Sequence, residues 1–476
     1  MSVDWINSIV SIANDYLWSY ILIAMLVGLG LWFTINTGFV QLTQVKEMCR
    51  LVFEGAGRKG RKGHISTFQA FCVSTSSRVG VGNIAGIAIA VTTGGPGAVF
   101  WMWVIAMIGS ASGFVESTLA QIYKLKRPGG GYIGGPAYYI YNGLKSRFFA
   151  QVFAVLISVT YGLIFNSVQA NTMALSIEKA FGITPTMTGV AIALTTALVI
   201  CGGLTRIAKV AGWMVPVMAG GYLLIALAVT VMNIAMVPTV LKQIVTCAFS
   251  FDSVTGAAIG MAMMTGIKRG LFSNEAGMGA VPNAAAAADA SHPVKQGLVQ
   301  AFGVFFDTGL VCTASAMLVL LTPGWGEAGV TGIALIQHNL VQQLGSWSEV
   351  FISITVLFFA FSSIIGNYFY GEMNIPFLSR SRLTLNTFRL CVIGMVFLGS
   401  IASLSLVWNL ADLFMALMAI VNLVAITLLG KRAYIALEDY VAQRKRGIAE
   451  PEFDPKILPN THGIACWPRA KDDELN

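Results

Sequence analysis

Two glycine-rich polar stretches interrupt long apolar runs in this chain, Ser74–Gly86 (STSSRVGVGNIAG) and Gly266–Gly279 (GIKRGLFSNEAGMG). In the first, Gly80, Gly82 and Gly86 surround Asn83. Glycine disfavours continuous helix and lets backbone approach a ligand closely. Unwinding there frees amides that can bind a carboxylate at a helix N-terminus and carbonyls that can bind a cation. Gly82 and Gly86 equally fit the small-xxx-small spacing of close helix packing, and Asn83 with Arg78 beside it tips the balance to a binding site. The second stretch sets Lys268, Arg269 and Glu275 within eight residues. Charges in an apolar context are costly, and for these three a functional site and a buried charge network that fixes helix geometry stand equal. Asn274, Gly277 and Met278 suit a zwitterion, through a neutral polar side chain and exposed amides.

Further residues are arranged for ligand contact. Tyr161, Phe165 and Gln169 recur every fourth residue and share one helix face, either as an aromatic gate with a hydrogen-bonding amide or as ordinary packing. Ser362 and Ser363 could complete an oxygen cage for a hard cation. On the residues alone, serines bonded back to their own helix are the better reading. Asp307 is mid-span and a candidate partner for Arg78, Lys268 or Arg269, whereas Glu116 and Glu372 read as structural. His64, His292 and His462 fall in loops or tail and no histidine is mid-span, which argues against a histidine proton relay. No HExxH, GxSxG or Walker A pattern occurs, so an enzyme is not expected.

The elements that must carry these residues are membrane helices. A crossing needs about 20 largely apolar residues. Eleven candidate spans emerge, at 16–37, 66–93, 97–123, 148–178, 185–204, 208–234, 252–289, 295–322, 348–374, 386–406 and 408–438. The chain is 56% hydrophobic and 11% charged, which excludes a string of soluble domains. The net charge of +8 could suggest nucleic acid, but 24 of the 30 Lys and Arg residues fall in loops and a tail on one side of the predicted spans, so nucleic acid is not expected. By the positive-inside rule that side is cytoplasmic, placing the C-terminus inside and the N-terminus outside. No basic residue precedes the first apolar stretch, so a cleaved secretory signal is not expected, and the terminal KDDELN is not an ER-retention signal. The seven cysteines show no CxxC pairing and read as small apolar fillers.

Setting aside the first span leaves two sets of five, 66–234 and 252–438, each opening on a broken helix. Five is odd, so the sets have opposite topology, an inverted repeat. Paired broken helices at matching places point to the binding site of a secondary transporter. The expected architecture is one all-α polytopic domain over 1–438, comprising an extra helix at 16–37 and the two repeats, then a polar cytoplasmic tail at 439–476. GGPG at 94–97 reads as a turn, with Trp101 and Trp103 as interfacial anchors, and 129–143 as an interfacial loop or short helix.

Four segments in order, RVGVGNIAG, GGPGAVFWMW, GGPAYYI and GIKRGLFSNEAGMG, resemble the alanine or glycine:cation symporter family of bacterial and archaeal amino-acid carriers. The resemblance runs from about Phe68 to the last span. It implies the fold of the bacterial leucine transporter, with broken first and sixth core helices. It also implies uptake of alanine or glycine coupled to sodium, or in some members to protons, in a bacterial plasma (inner) membrane. By the same resemblance, one sodium, a co-transported ligand and not a cofactor, is held by Ser76, Val79, Phe359, Ser362 and Ser363. The fixed charge of Arg78 would repel a second sodium. The pocket implied uses Gly80, Gly82, Asn83, Phe165, Gln169, Asn274, Gly277 and Met278. Partners are the amino acid, sodium and the bilayer, and a monomer is expected. A channel, a membrane enzyme and a non-transporting amino-acid sensor of the same fold are the rivals.

Overall fold

The structure, a computed structural model, describes residues 2–57, 65–127, 130–249, 257–327 and 329–467. The start of the expected span 252–289, the basic residues at 58–62 and those at 469–471 lie outside the described residues. Almost everything described is helix. In chain order the helices longer than one turn are α1 (Asn7–Asn36), α2 (Val45–Gly57), α3 (Thr67–Arg78), α4 (Val81–Gly94), α5 (Gly97–Ile122), α6 (Pro136–Leu144), α7 (Arg147–Phe181), α8 (Pro185–Ile200) and α9 (Leu204–Met232). They continue as α10 (Val237–Phe249), α11 (Ala257–Asn274), α12 (Val281–Ala287), α13 (Pro293–Leu320), α14 (Ile333–Leu344), α15 (Trp347–Leu378), α16 (Arg382–Ile401) and α17 (Leu404–Lys445). Among the described residues, eight of these are long and apolar enough to cross a membrane, namely α1, α5, α7, α9, α13, α15, α16 and α17.

Local chemistry sets many boundaries. Ser66 Oγ accepts the Gln69 amide at 3.1 Å while Gln69 Oε1 accepts the Ser66 amide at 3.0 Å, a reciprocal cap that starts α3. Proline opens α6, α8 and α13, where its missing N–H costs nothing. Gly182, at φ 68°, closes α7. α5 is the most enclosed long helix and packs on α11, α12 and α13, so it forms the spine behind the second break. Three long helices widen locally into π-turns, Leu17–Leu22 within α1, Thr160–Phe165 within α7 and Phe305–Cys312 within α13. Such turns re-aim side chains and concentrate at functional sites.

The structure departs from the sequence expectation in several places. α2, α10 and α14 lie in stretches read as loops. The first helix begins well before residue 16. The half-buried Trp101 and Trp103 are tied to neighbouring helices, their indoles donating to the Ala248 carbonyl at 3.4 Å and to Thr313 Oγ1 at 2.9 Å. The tail is not simply solvated. α17 runs on to Lys445, and beyond it Phe453, Leu458, Cys466 and Trp467 are buried. The Phe453 amide donates to the Ser291 carbonyl at 3.1 Å and the Trp467 indole to the Gln121 carbonyl at 3.1 Å. The Lys124 ammonium sits 4.0 Å from the Tyr132 ring and 4.7 Å from that of Trp467.

Candidate functional site

Both breaks are present and narrower than the glycine-rich stretches that announced them. Between α3 and α4 only Val79 and Gly80 leave the helix. Val79, at φ −81° and ψ 79°, centres a tight turn in which the Gly80 amide donates to the Arg78 carbonyl at 3.0 Å. Two of the freed amides, those of Gly80 and Val81, are already engaged. Asn83 Oδ1 accepts from Gly80 N at 3.2 Å, and Gln169 Oε1 accepts from Val81 N at 3.1 Å. A neutral side-chain oxygen from α7 thus occupies the helix N-terminus that a carboxylate would favour.

The second break spans residues 275–280. Glu275, Gly277 and Gly279 are left-handed, at φ 57°, 84° and 82°. For Glu275 that conformation is strained, by about 1–2 kcal/mol. Glu116 on α5 holds the loop, accepting from Gly277 N at 3.2 Å, Gly279 N at 3.0 Å and Asn422 Nδ2 at 2.7 Å. Asn422 also donates to the Gly277 carbonyl at 2.9 Å. The expectation that Gly277 presents a free amide is therefore corrected: both its polar backbone atoms are committed to Glu116 and Asn422.

The breaks meet at Asp307, in the π-turn of α13. Its carboxylate accepts from Asn83 Nδ2 of the first break, from Ser273 Oγ at 2.5 Å just before the second, and from Thr308 Oγ1 at 3.2 Å. Asn274 Nδ2 donates to Thr308 Oγ1 at 3.3 Å while its Oδ1 accepts from Ala276 N at 3.0 Å. Asp307 therefore pairs with neutral donors. Arg269 pairs with Asp412 instead, its Nη2 reaching both carboxylate oxygens and its guanidinium 4.5 Å from the Trp408 ring, and Lys268 lies 5.3 Å from the Trp18 ring. Arg78 donates to the Gln300 carbonyl at 3.2 Å.

Aromatic rings wall this centre. Phe165 lies 4.6 Å from Phe272 and 4.7 Å from Tyr161, and Phe272 lies 4.8 Å from Trp408, centroid to centroid. A Cβ on Gly82 would lie 2.6 Å from the Phe272 ring, so glycine is required there for ring and helix to touch. Met278 is fully buried and its amide donates to the Glu275 carbonyl at 3.2 Å.

The serine pair faces the first break. Ser363 Oγ donates to the Ser76 carbonyl at 2.9 Å, and Ser362 Oγ donates to the Phe359 carbonyl at 2.8 Å. A Cβ on Gly80 would strike Ser363 Oγ, and one on Gly366 would lie 2.7 Å from Ser76 Oγ. Close approach of α15 to α3 thus sets the Ser363 hydroxyl on the Ser76 carbonyl, oxygens of a kind that suits a small hard cation, while Ser362 stays bonded to its own helix and lies 3.3 Å from Met218 Sδ. All thirteen residues expected at the site are buried. Three residues that shape it were missed as site residues: Glu116, Asn422 and Asp307. The only sequence signal was a polar side chain deep in an apolar span.

The model of a family described as the sodium:alanine symporter family matches residues 3–455. The chain belongs to that family. It is 51% identical over 97% of its length, and 96% of the relative's, to a Bacillus subtilis protein named as a probable sodium/glutamine symporter, GlnT. It is 48% identical to the amino-acid carrier protein AlsT of the same organism, covering 99% of each chain. It is 36% identical to the sodium/alanine symporter AgcS of Methanococcus maripaludis, covering 89% of this chain and 94% of that one. Among solved structures, a manganese transporter of Eremococcus coleocola aligns with a TM-score of 0.55 at 13% identity, over 80% of this chain and 86% of the other, a likeness of fold. As a member of the sodium:alanine symporter family, the chain is an integral membrane transporter of the sodium-coupled amino-acid symport class.

Proposed function

We propose that this carrier brings a small neutral amino acid, alanine or glycine, into the cell with one sodium ion by alternating access. The observation that carries the reading is the junction of the two helix breaks on one carboxylate, Asp307, with the Ser363 hydroxyl on the Ser76 carbonyl beside it. Sodium takes the oxygens of Ser76, Val79, Phe359, Ser362 and Ser363, bridging α3 to α15. The substrate carboxylate displaces Gln169 Oε1 from the α4 amides between Gly80 and Asn83. Its ammonium turns toward Asn274 and the carbonyls of the second break, its side chain toward Phe165, with Gly82, Gly277 and Met278 as close walls. Sodium must bind the outward-facing state more tightly than the inward one, because only differential affinity shifts a conformational population. The helices divide as one extra helix and two five-helix repeats, eleven crossings when each broken pair counts once. The C-terminus is cytoplasmic and the N-terminus outside, a reading supported by the Lys and Arg residues of the loops and tail falling on one side of the expected spans. The carrier acts as a monomer.

Alanine uptake into proteoliposomes with and without an inward sodium gradient tests the coupling, and equal uptake in both refutes it. A second reading, glutamine as substrate, draws on the 51% identical relative named for that amino acid. Competition of glycine, alanine and glutamine against labelled alanine, at several sodium concentrations, decides between them. A proton-coupled carrier would accumulate alanine on a pH gradient without sodium, and a sensor would bind without flux.

A further inference from the structure

A second buried polar chain runs away from the substrate cradle, and its hydrogen-bond polarity can be traced from one end. The Gly162 carbonyl, an acceptor only, takes Asn166 Nδ2 at 3.0 Å. Asn166 therefore presents Oδ1 to its other neighbour, Asn367, whose Nδ2 donates to it at 3.1 Å. That orientation turns Asn367 Oδ1 toward Ser77 Oγ, 2.6 Å away. A serine hydroxyl has one proton. Ser77 must spend it on Asn367 Oδ1, so toward Glu275 Oε1, 2.8 Å away, it can only accept. A carboxylate cannot donate; a carboxylic acid can.

We propose that Glu275 is a proton-binding site of this carrier, holding a proton on Oε1 in this conformation and donating it to Ser77 Oγ. Every member of the chain is buried, with Glu275 1% and Asn367 1% exposed, so water does not supply the missing donor from bulk. Glu275 also sits in the second break with a left-handed backbone, in the segment that must rearrange if the cradle opens. The groups facing it are Arg78 from α3, Asp307 from α13, Tyr161 from α7 and Tyr370 from α15, with Glu116 of α5 standing behind the two tyrosines. Asp307 accepts three hydrogen bonds from neutral donors and needs no proton to satisfy its neighbours, so the two acids differ in role. When the break opens to water, the Glu275 O–H bond breaks, the proton passes to a water molecule and a carboxylate remains. On closing, the carboxylate takes a proton back from water. The proton assignment stands on hydrogen-bond geometry alone; its consequence for coupling rests on the transport reading above.

Infrared difference spectroscopy of the full-length carrier in lipid, wild type minus Glu275→Gln, reads the assignment directly. The expected result is loss of a carbonyl-stretch band of a buried neutral carboxylic acid. Loss of a carboxylate band instead, or no difference in either region, overturns the proposal. Ser77→Ala supplies a second readout: the acid loses its acceptor and its band moves to higher frequency, and an unmoved band overturns the geometry. Neither spectrum depends on whether sodium drives uptake, so the proton site and the transport reading fail separately. In proteoliposomes, wild-type uptake changes with pH, and that dependence flattens in Glu275→Gln.

Discussion

Glu116→Gln is the most informative single substitution in this carrier. The wild-type carboxylate accepts three donors, Gly277 N, Gly279 N and Asn422 Nδ2, at 2.7–3.2 Å. An isosteric amide has one acceptor oxygen, and its NH2 must face at least one of those donors. A hydrogen bond to a charged group contributes about 1.5–3 kcal/mol, and a buried donor left alone costs about 1–3 kcal/mol. The neutral amide also relieves the burial of a charge, which lowers the net loss. The balance is about 2–4 kcal/mol, lost from the ordered form of residues 275–280. If that form is the one that binds substrate, each 1.4 kcal/mol costs about tenfold in affinity, so alanine binding should weaken on the order of 30-fold or more. Calorimetric titration of alanine into the purified carrier at saturating sodium measures this, with thermal unfolding alongside. A Kd within about twofold of wild type and an unshifted Tm would refute the claim that Glu116 holds the second break in its binding form.

Other substitutions probe the remaining parts. Ser363→Ala removes one of five proposed sodium ligands and should raise the sodium needed for half-maximal alanine binding about tenfold, the effect of about 1.4 kcal/mol; an unchanged sodium titration sinks the assignment. Gln169→Glu places a permanent carboxylate at the α4 N-terminus, where a negative charge contributes about 0.3–1 kcal/mol. It should occupy the substrate's place, so binding falls, and retained alanine affinity would place the substrate carboxylate elsewhere. Asp307→Asn offers one acceptor to three donors and should abolish uptake while leaving a monodisperse protein, checked by transport and size-exclusion chromatography. Burial holds His292 below its ordinary pKa of 6.5, although Asp439 pulls the other way. The unfolded chain thus binds the proton more readily, and the stability His292 contributes is complete above pH 6.5 and lost as pH falls through the lowered value. Proteolysis of the tail in inside-out vesicles should speed up below that point, and His292→Gln should remove the pH dependence.

Legibility followed how local each cause is. The breaks were visible because glycine and polar residues in an apolar run act on their own backbone. Their true extent was not: Val79 and Gly80 alone open the first, since Asn83 and Gln169 re-engage the amides at once, and Gln169 comes from another helix. The serine pair gained its meaning only from family resemblance, and the Ser363 to Ser76 contact is 287 residues apart in sequence. Charge partners were the least readable. Asp307 is near neither arginine by bond, and Arg269 found Asp412, 143 residues away. Among the helices, α10 and α14 were overlooked because 13 and 12 residues fall short of a crossing, and a search for crossings passes over them. The π-turns at Tyr161 and Asp307 have no sequence mark, because one extra residue in a turn is absorbed by packing.

The docked C-terminal segment carries a consequence for biosynthesis. Trp467 and Phe453 close over Gln121 and Ser291, joining the end of α5 to the turn before α13. A nonsense codon just after Lys445 would therefore spare every apolar helix among the described residues yet leave that seam unsewn. Such a product would insert normally and be removed by membrane proteases, so a lesion far from the cradle would register as missing carrier rather than as a slow one.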